Sequence, residues 1–221
     1  MKLGVLCSGG KDSLLAAYLA HKEGYTLSCL ITLSSANEAS YMFHTPSITK
    51  VAKQAQSMNL PLILQNTRGE KETELEDLKE AIKKAKEEFG IEGVVTGAVE
   101  SVYQASRIQN ICNELNLECF NPLWQKDQLE LLEDLLRFGF KVIITGVAAY
   151  PLDETWLGRE INSTFIKEVR DLQEKFHINP AGEGGEFESF VLYCPLFKEP
   201  LEIKDKKIFG SGNSWRMEVD L

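Results

Sequence analysis

The chain has 221 residues, 43% hydrophobic and 26% charged, a balance that fits a globular protein with one large core or two modest ones. With 24 Lys and Arg against 33 Asp and Glu, the net charge of −9 gives no global pull toward a phosphate backbone, so stable nucleic-acid binding is not expected. No apolar run approaches the roughly 18 residues of a membrane span, and the apolar stretch at the start is too short for a signal peptide. Cysteines 7, 29, 112, 119 and 194 form neither a C-x-x-C pair nor an even disulfide framework, and the expectation is a cytoplasmic protein with no membrane partner.

In chain order, residues 3–7 read as a buried strand, broken by Ser8-Gly9-Gly10, and residues 14–22 as a helix with Gly24 just past its end. A strand over 26–33 precedes a polar loop, 34–43. A helix over 47–58 and a strand centred on 62–64 follow. From 72 to 89, Leu75, Leu78, Ile82, Ala85 and Phe89 fall three or four apart, which predicts a charged helix with one buried stripe. A strand over 93–99, a helix over 102–115 and a short strand over 118–120 complete an alternation that implies a parallel sheet with helices on both faces. Past Asn121-Pro122 the rhythm changes to a helix (128–138), an apolar strand (140–147), a loop (149–158), a helix (161–175), a glycine-rich acidic turn (182–185) and a strand (187–192). Period-two alternation in the tail predicts short antiparallel strands. The boundary is placed at 121, giving domains 1–121 and 122–221.

The most informative stretch is Ser8-Gly9-Gly10-Lys11-Asp12-Ser13, set between a buried strand and a helix. Its glycines let main-chain N–H groups approach an anion closely, and the helix N-terminus adds unpaired donors and the positive end of a dipole. Ser8 and Ser13 bring hydroxyls, and Lys11 brings a full charge. Asp12 is out of place in an anion cradle unless it orients the loop or helps hold a divalent cation. The loop fits neither the P-loop pattern, which requires Ser or Thr where Asp12 stands, nor the dinucleotide pattern G-x-G-x-x-G.

These residues resemble the SGGxDS loop of the N-type ATP pyrophosphatases, which cut ATP between the α and β phosphates. Further matches at 97–107 (GAVESVYQASR), 146–159 (GVAAYPLDETWLGR) and 182–190 (GEGGEFESF) resemble one branch of that superfamily, the diphthine–ammonia ligases. The resemblance implies a HUP-like parallel sheet of order 3-2-1-4-5 with helices on both faces, plus a smaller α+β C-terminal domain. It implies ATP and Mg²⁺ as cofactors, with Ser8, Gly9, Gly10, Lys11, Asp12, Ser13, His44, Gly97 and Arg107 as nucleotide contacts. Asp12 is the implied metal ligand, and Lys11, Asp12 and Glu186 are the catalytic candidates. Glu100, Tyr150, Asp153, Glu154, Trp156, Glu183 and Glu188 are the acceptor-binding candidates.

The implied reaction adenylates the diphthine carboxylate on translation elongation factor 2 with loss of pyrophosphate, after which ammonia displaces AMP. Diphthine carries a trimethylammonium group, and aromatic faces with nearby carboxylates are the chemistry that holds such a cation. Residues 150–156 and 183–188 are therefore expected to converge over the phosphate loop. A homodimer stays open as the assembly. Two rival readings are another adenylating enzyme of the superfamily, acting on tRNA or a nucleobase, and a non-catalytic ATP-binding module. The first is disfavoured by the absence of a cysteine pair or basic extension, the second by Lys11 with Asp12 and the elaborate acidic second half. No histidine or cysteine spacing suggests zinc.

Overall fold

Strands whose side chains are apolar on both faces are satisfied only inside a sheet covered on both sides. That is the environment of β1 (Lys2–Leu6), where Leu3, Val5 and Leu6 are all buried, and of β2 (Thr26–Ser35). The computed structural model describes residues 1–35, 48–67 and 71–221. After β1 come α1 (Lys11–Lys22), β2, α2 (Ile48–Met58), β3 (Leu62–Thr67), α3 (Lys71–Phe89), β4 (Gly93–Val95), α4 (Val102–Glu114) and β5 (Glu118–Phe120). The five strands are parallel, in the order β3-β2-β1-β4-β5, as the resemblance implied. Right-handed crossovers place α1 and α2 on one face and α3 and α4 on the other, because the chain reverses direction across the sheet after β3. On the second face, Leu78, Ala81, Ile82 and Ala85 of α3 and Ile108, Ile111 and Cys112 of α4 pack with Leu6, Cys29, Ile31 and Leu33. On the first, Leu3, Val5 and Leu30 are buried, as are Leu14, Leu15 and Ala17 of α1.

The second half builds an antiparallel sheet. It contains α5 (Gln128–Arg137), β6 (Lys141–Val147), a single 3-10 turn (Glu154–Trp156), α6 (Ser163–Phe176), β7 (Phe187–Tyr193), β8 (Asp205–Ser211) and β9 (Ser214–Asp220), with strand order β7-β6-β9-β8. Ile143, Leu157, Phe190, Met217 and Val219 form its sheet core. Asp127 and Asn162 cap α5 and α6 by accepting backbone N–H hydrogen bonds in their first turns.

The chain divides into two compact units. One is Met1–Ser8 with Asp12–Trp124; the other is Gln125–Leu221 together with Gly9–Lys11. The middle of the glycine-rich loop thus belongs to the second unit by its contacts. Several boundaries differ from the sequence reading, and three of the differences have a clear local cause. α1 begins at Lys11 rather than 14, because the Ser-Gly-Gly turn leads straight into the helix. β4 stops at Val95, since its partner β5 is only three residues long, although Thr96 N still donates to Phe120 O. Only residues 205–211 and 214–220 of the tail are strands, so Leu201 and Ile203 are not. Among the described residues, no helix is long and apolar enough to cross a membrane.

Candidate active site

Three sets of contacts fix the glycine-rich loop. Where β1 ends, Cys7 N donates to Ile31 O at 2.9 Å, and Thr32 Oγ1 donates to Cys7 O at 2.7 Å. Both bonds tie the strand end to β2. The middle of the loop is held within the second unit. Gly9, at φ 85°, turns its carbonyl to accept from Val191 N at 3.1 Å, and Lys11 N donates to Ser189 Oγ at 3.2 Å. β7 is an edge strand of its sheet, so Gly9 covers a main-chain donor that the sheet leaves unpaired.

The third contact sits at the start of α1. A Cβ on Gly97 would lie 2.6 Å from Asp12 C, 2.7 Å from Ser13 N and 2.8 Å from Asp12 O. The close approach that Gly97 permits is therefore to the loop's own backbone. Lys11 is 4% exposed, and its Nζ lies 5.6 Å from the centroid of the Phe187 ring, a cation–π distance. Ser13 is buried, and Ser8 is exposed.

Arg107 lies on α4 with its guanidinium carbon 3.4 Å from the centroid of Tyr103, one turn earlier. Its Nε is buried with no hydrogen-bond partner among the described residues. A charged donor in that state costs free energy until an acceptor arrives, so Arg107 suits an anionic ligand group. Glu100 is exposed, just before the Ser101 N-cap of α4. His44 lies outside the described residues.

In the second unit, ring contacts connect candidates that are far apart in sequence. Trp156 meets Phe165 at 5.5 Å, and Phe165 meets Phe187 at 5.7 Å, both edge-to-face. Phe165 was not among the sequence candidates. Arg159 covers one face of Trp156 at 4.2 Å and pairs with Glu168 at 2.8 Å. Tyr150 stands apart, 66% exposed and edge-on to Phe176 at 5.4 Å. Asp153 caps the 3-10 turn by accepting from Thr155 N at 3.0 Å, and Glu154 is exposed. Glu188 packs beside Gly146, where a Cβ would meet its side chain at 3.3 Å. Glu183 is half-buried.

Glu186 differs from the other acidic candidates. It is 8% exposed, and its Oε1 accepts from Asn179 N (2.9 Å) and Asn179 Nδ2 (2.8 Å) while Oε2 accepts from Gly184 N (2.8 Å). Three donors on one carboxylate fix its orientation and shape the turn around it.

The cysteines are buried apart from Cys119, which is half-buried. Burial, with a smaller contribution from Glu88, pushes the Cys29 thiol up to about 12. Hydrogen bonding to Cys119, followed by burial, also raises Cys112. Both remain protonated at neutral pH, and so are poor nucleophiles.

A 3-2-1-4-5 parallel sheet with a strand–SGGKDS–helix junction defines an ATP-binding protein of the ATP pyrophosphatase class. A family model described as the diphthamide synthase N-terminal domain matches residues 1–119, and one for the diphthamide synthase C-terminal domain matches residues 127–219. The chain belongs to the diphthamide synthase family. Curated relatives named diphthine–ammonia ligase include those of Mus musculus, 35% identical over 92% of this chain and 83% of theirs, and Homo sapiens, 32% identical over 94% and 85%. The Schizosaccharomyces pombe relative of the same name is 34% identical over 94% of this chain but only 37% of its own.

Proposed function

We propose that this chain is an ATP-dependent carboxylate–ammonia ligase that converts diphthine to diphthamide. The observation that carries the reading is the loop at residues 8–13, a glycine turn feeding the N-terminus of α1, in a chain matched along both halves by the diphthamide synthase domains. A carboxylate resists attack by ammonia because an oxide would have to leave. A carboxylate oxygen attacks the α-phosphorus of ATP, the α–β bridging bond breaks, and pyrophosphate leaves as the acyl adenylate forms. Ammonia then attacks the acyl carbon, AMP departs, and the ammonium proton is lost to solvent. Loop N–H groups, the α1 N-terminus and Lys11 are set to stabilise charge on the departing pyrophosphate. Gly97 fixes the Asp12 backbone, and Arg107 offers its Nε to an anionic group of the nucleotide or acceptor.

Among the described residues, no three His, Cys, Asp or Glu side chains gather as a metal cage. Magnesium bound to nucleotide needs only one or two carboxylates, with phosphates and waters completing its shell. Asp12, in the first turn of α1, fits that modest donor set. The ion would supply charge neutralisation on the phosphates.

The acceptor subsite is assigned to Tyr150, Asp153, Glu154, Trp156, Glu183 and Glu188. The ring contacts from Trp156 through Phe165 to Phe187, and from Phe187 to Lys11, support this assignment. Arg159 already covers one face of Trp156, so Tyr150 is the better candidate to meet a trimethylammonium group. Elongation factor 2 is the proposed carrier of diphthine and the cytoplasm the proposed compartment. Incubation with ATP, magnesium, ammonium and diphthine-bearing elongation factor tests the reading. AMP and pyrophosphate should form in step with the amide, whereas ADP and orthophosphate would refute it.

A further inference from the structure

A polar network surrounds Glu186 at the start of β7. Gln128, 7% exposed at the start of α5, donates from Nε2 to Asn179 Oδ1 at 3.2 Å and accepts Ala181 N at Oε1 at 3.0 Å. Asn179 in turn donates twice to Glu186 Oε1. The Glu186 carbonyl accepts from Ala148 N at 2.9 Å, and from there the β6–β7 ladder runs from Val147 paired with Phe187 toward Lys141 paired with Tyr193. One face of β7 then presents Phe187, Ser189 and Val191, two residues apart. These are the residues that meet Lys11 Nζ, Lys11 N and Gly9 O. All of these atoms belong to the second compact unit, which includes Gly9–Lys11.

Each amide of Gln128 and Asn179 uses its oxygen as an acceptor and its nitrogen as a donor, and the Glu186 carboxylate receives three N–H groups. Polar groups matched in this way, with Gln128 and Glu186 buried and Asn179 half-buried, favour one backbone conformation, because a shift separates donors from acceptors. A loop that must offer several N–H groups to a polyphosphate binds more tightly when its conformation is fixed beforehand.

We propose that Ser189, and behind it Gln128 and Asn179, are positioning residues for ATP: they hold β7 so that Ser189 Oγ and Val191 N fix Gly9–Lys11 in the nucleotide-receiving conformation. This rests on the reading of residues 8–13 as the ATP loop. Ser189 acts directly on the Lys11 amide, and Gln128 and Asn179 act through Glu186.

The test measures ATP binding by calorimetry on the full chain, beside thermal stability and steady-state kinetics. Ser189→Ala removes one neutral acceptor and should weaken ATP binding about fivefold, as expected for a hydrogen bond of ordinary strength. The unfolding temperature and the KM for ammonium should stay unchanged. Ser189→Thr keeps the hydroxyl and should restore wild-type affinity. Gln128→Met, similar in volume, should raise the KM for ATP and leave kcat at saturating ATP near wild type. Combined with Ser189→Ala, it should add less than its separate effect, because both act on the same loop contact. Unchanged or tighter ATP binding by folded Ser189→Ala overturns the proposal and leaves the ATP reading standing. Fully multiplicative effects in the double variant overturn the part assigned to Gln128. A wild-type chain that does not bind ATP overturns both the proposal and the reading it rests on.

Discussion

Gly97 has no space for a side chain: a methyl group there would overlap the Asp12 carbonyl carbon and the Ser13 amide, atoms of backbone that cannot rotate away. Gly97→Ala is therefore expected to displace the first turn of α1 and reduce ATP turnover by about tenfold or more, the scale on which an ångström of misplacement acts. Initial rates of AMP release check this. The cysteines predict the opposite behaviour. Cys29 and Cys112 are buried thiols held in the protonated form, and Cys194 is fully buried in the second unit. Alkylation of Cys29 and Cys112 by iodoacetamide at pH 8 should be slow in the folded protein and rapid in urea. Cys194→Ser should keep its turnover apart from a packing cost. Loss of turnover in a folded, stable Cys194→Ser variant would instead give that thiol a chemical role.

At the scale of elements, the periodic patterns carried most of the information. The stripe Leu75, Leu78, Ile82, Ala85 and Phe89 is the buried face of α3, and Ile82→Ala should cost about 2–5 kcal/mol in urea unfolding, since it opens a cavity among side chains with no exposed route to relax. Asn162 at the N-cap of α6 accepts Phe165 N at 3.0 Å, so Asn162→Ala should cost about 1 kcal/mol in the same assay. What the sequence could not convey was long-range pairing. Nothing local in Ser189 or Gln128 indicates that one holds Lys11 and the other braces Asn179, because those partners lie 178 and 51 residues away. Glu186 showed the same limit from the other side. Its carboxylate stood out as one of several between glycines, yet only the fold distinguishes it as the one enclosed by three donors. The loop at 8–13 was legible because glycines, lysine and aspartate had to be adjacent in sequence to do their work.

For the molecule as a whole, two compact units share the glycine-rich loop: its ends belong to the parallel-sheet unit, and Gly9–Lys11 belongs to the antiparallel one. Both units match diphthamide synthase domains, so the chemistry proposed for the loop and the acceptor proposed for the second unit belong to one reaction. That coupling predicts that adenylation depends on the acceptor, with little AMP formed from ATP and ammonium alone. The most direct test of the central claim is to follow ATP labelled at the α phosphate, in the presence of ammonium and elongation factor 2 bearing diphthine, with and without ¹⁵N in the ammonium. The account predicts one AMP per diphthine consumed, no labelled ADP, and ¹⁵N in the product amide. Labelled ADP as the stoichiometric product, or AMP formed with no nitrogen entering the acceptor, would contradict it.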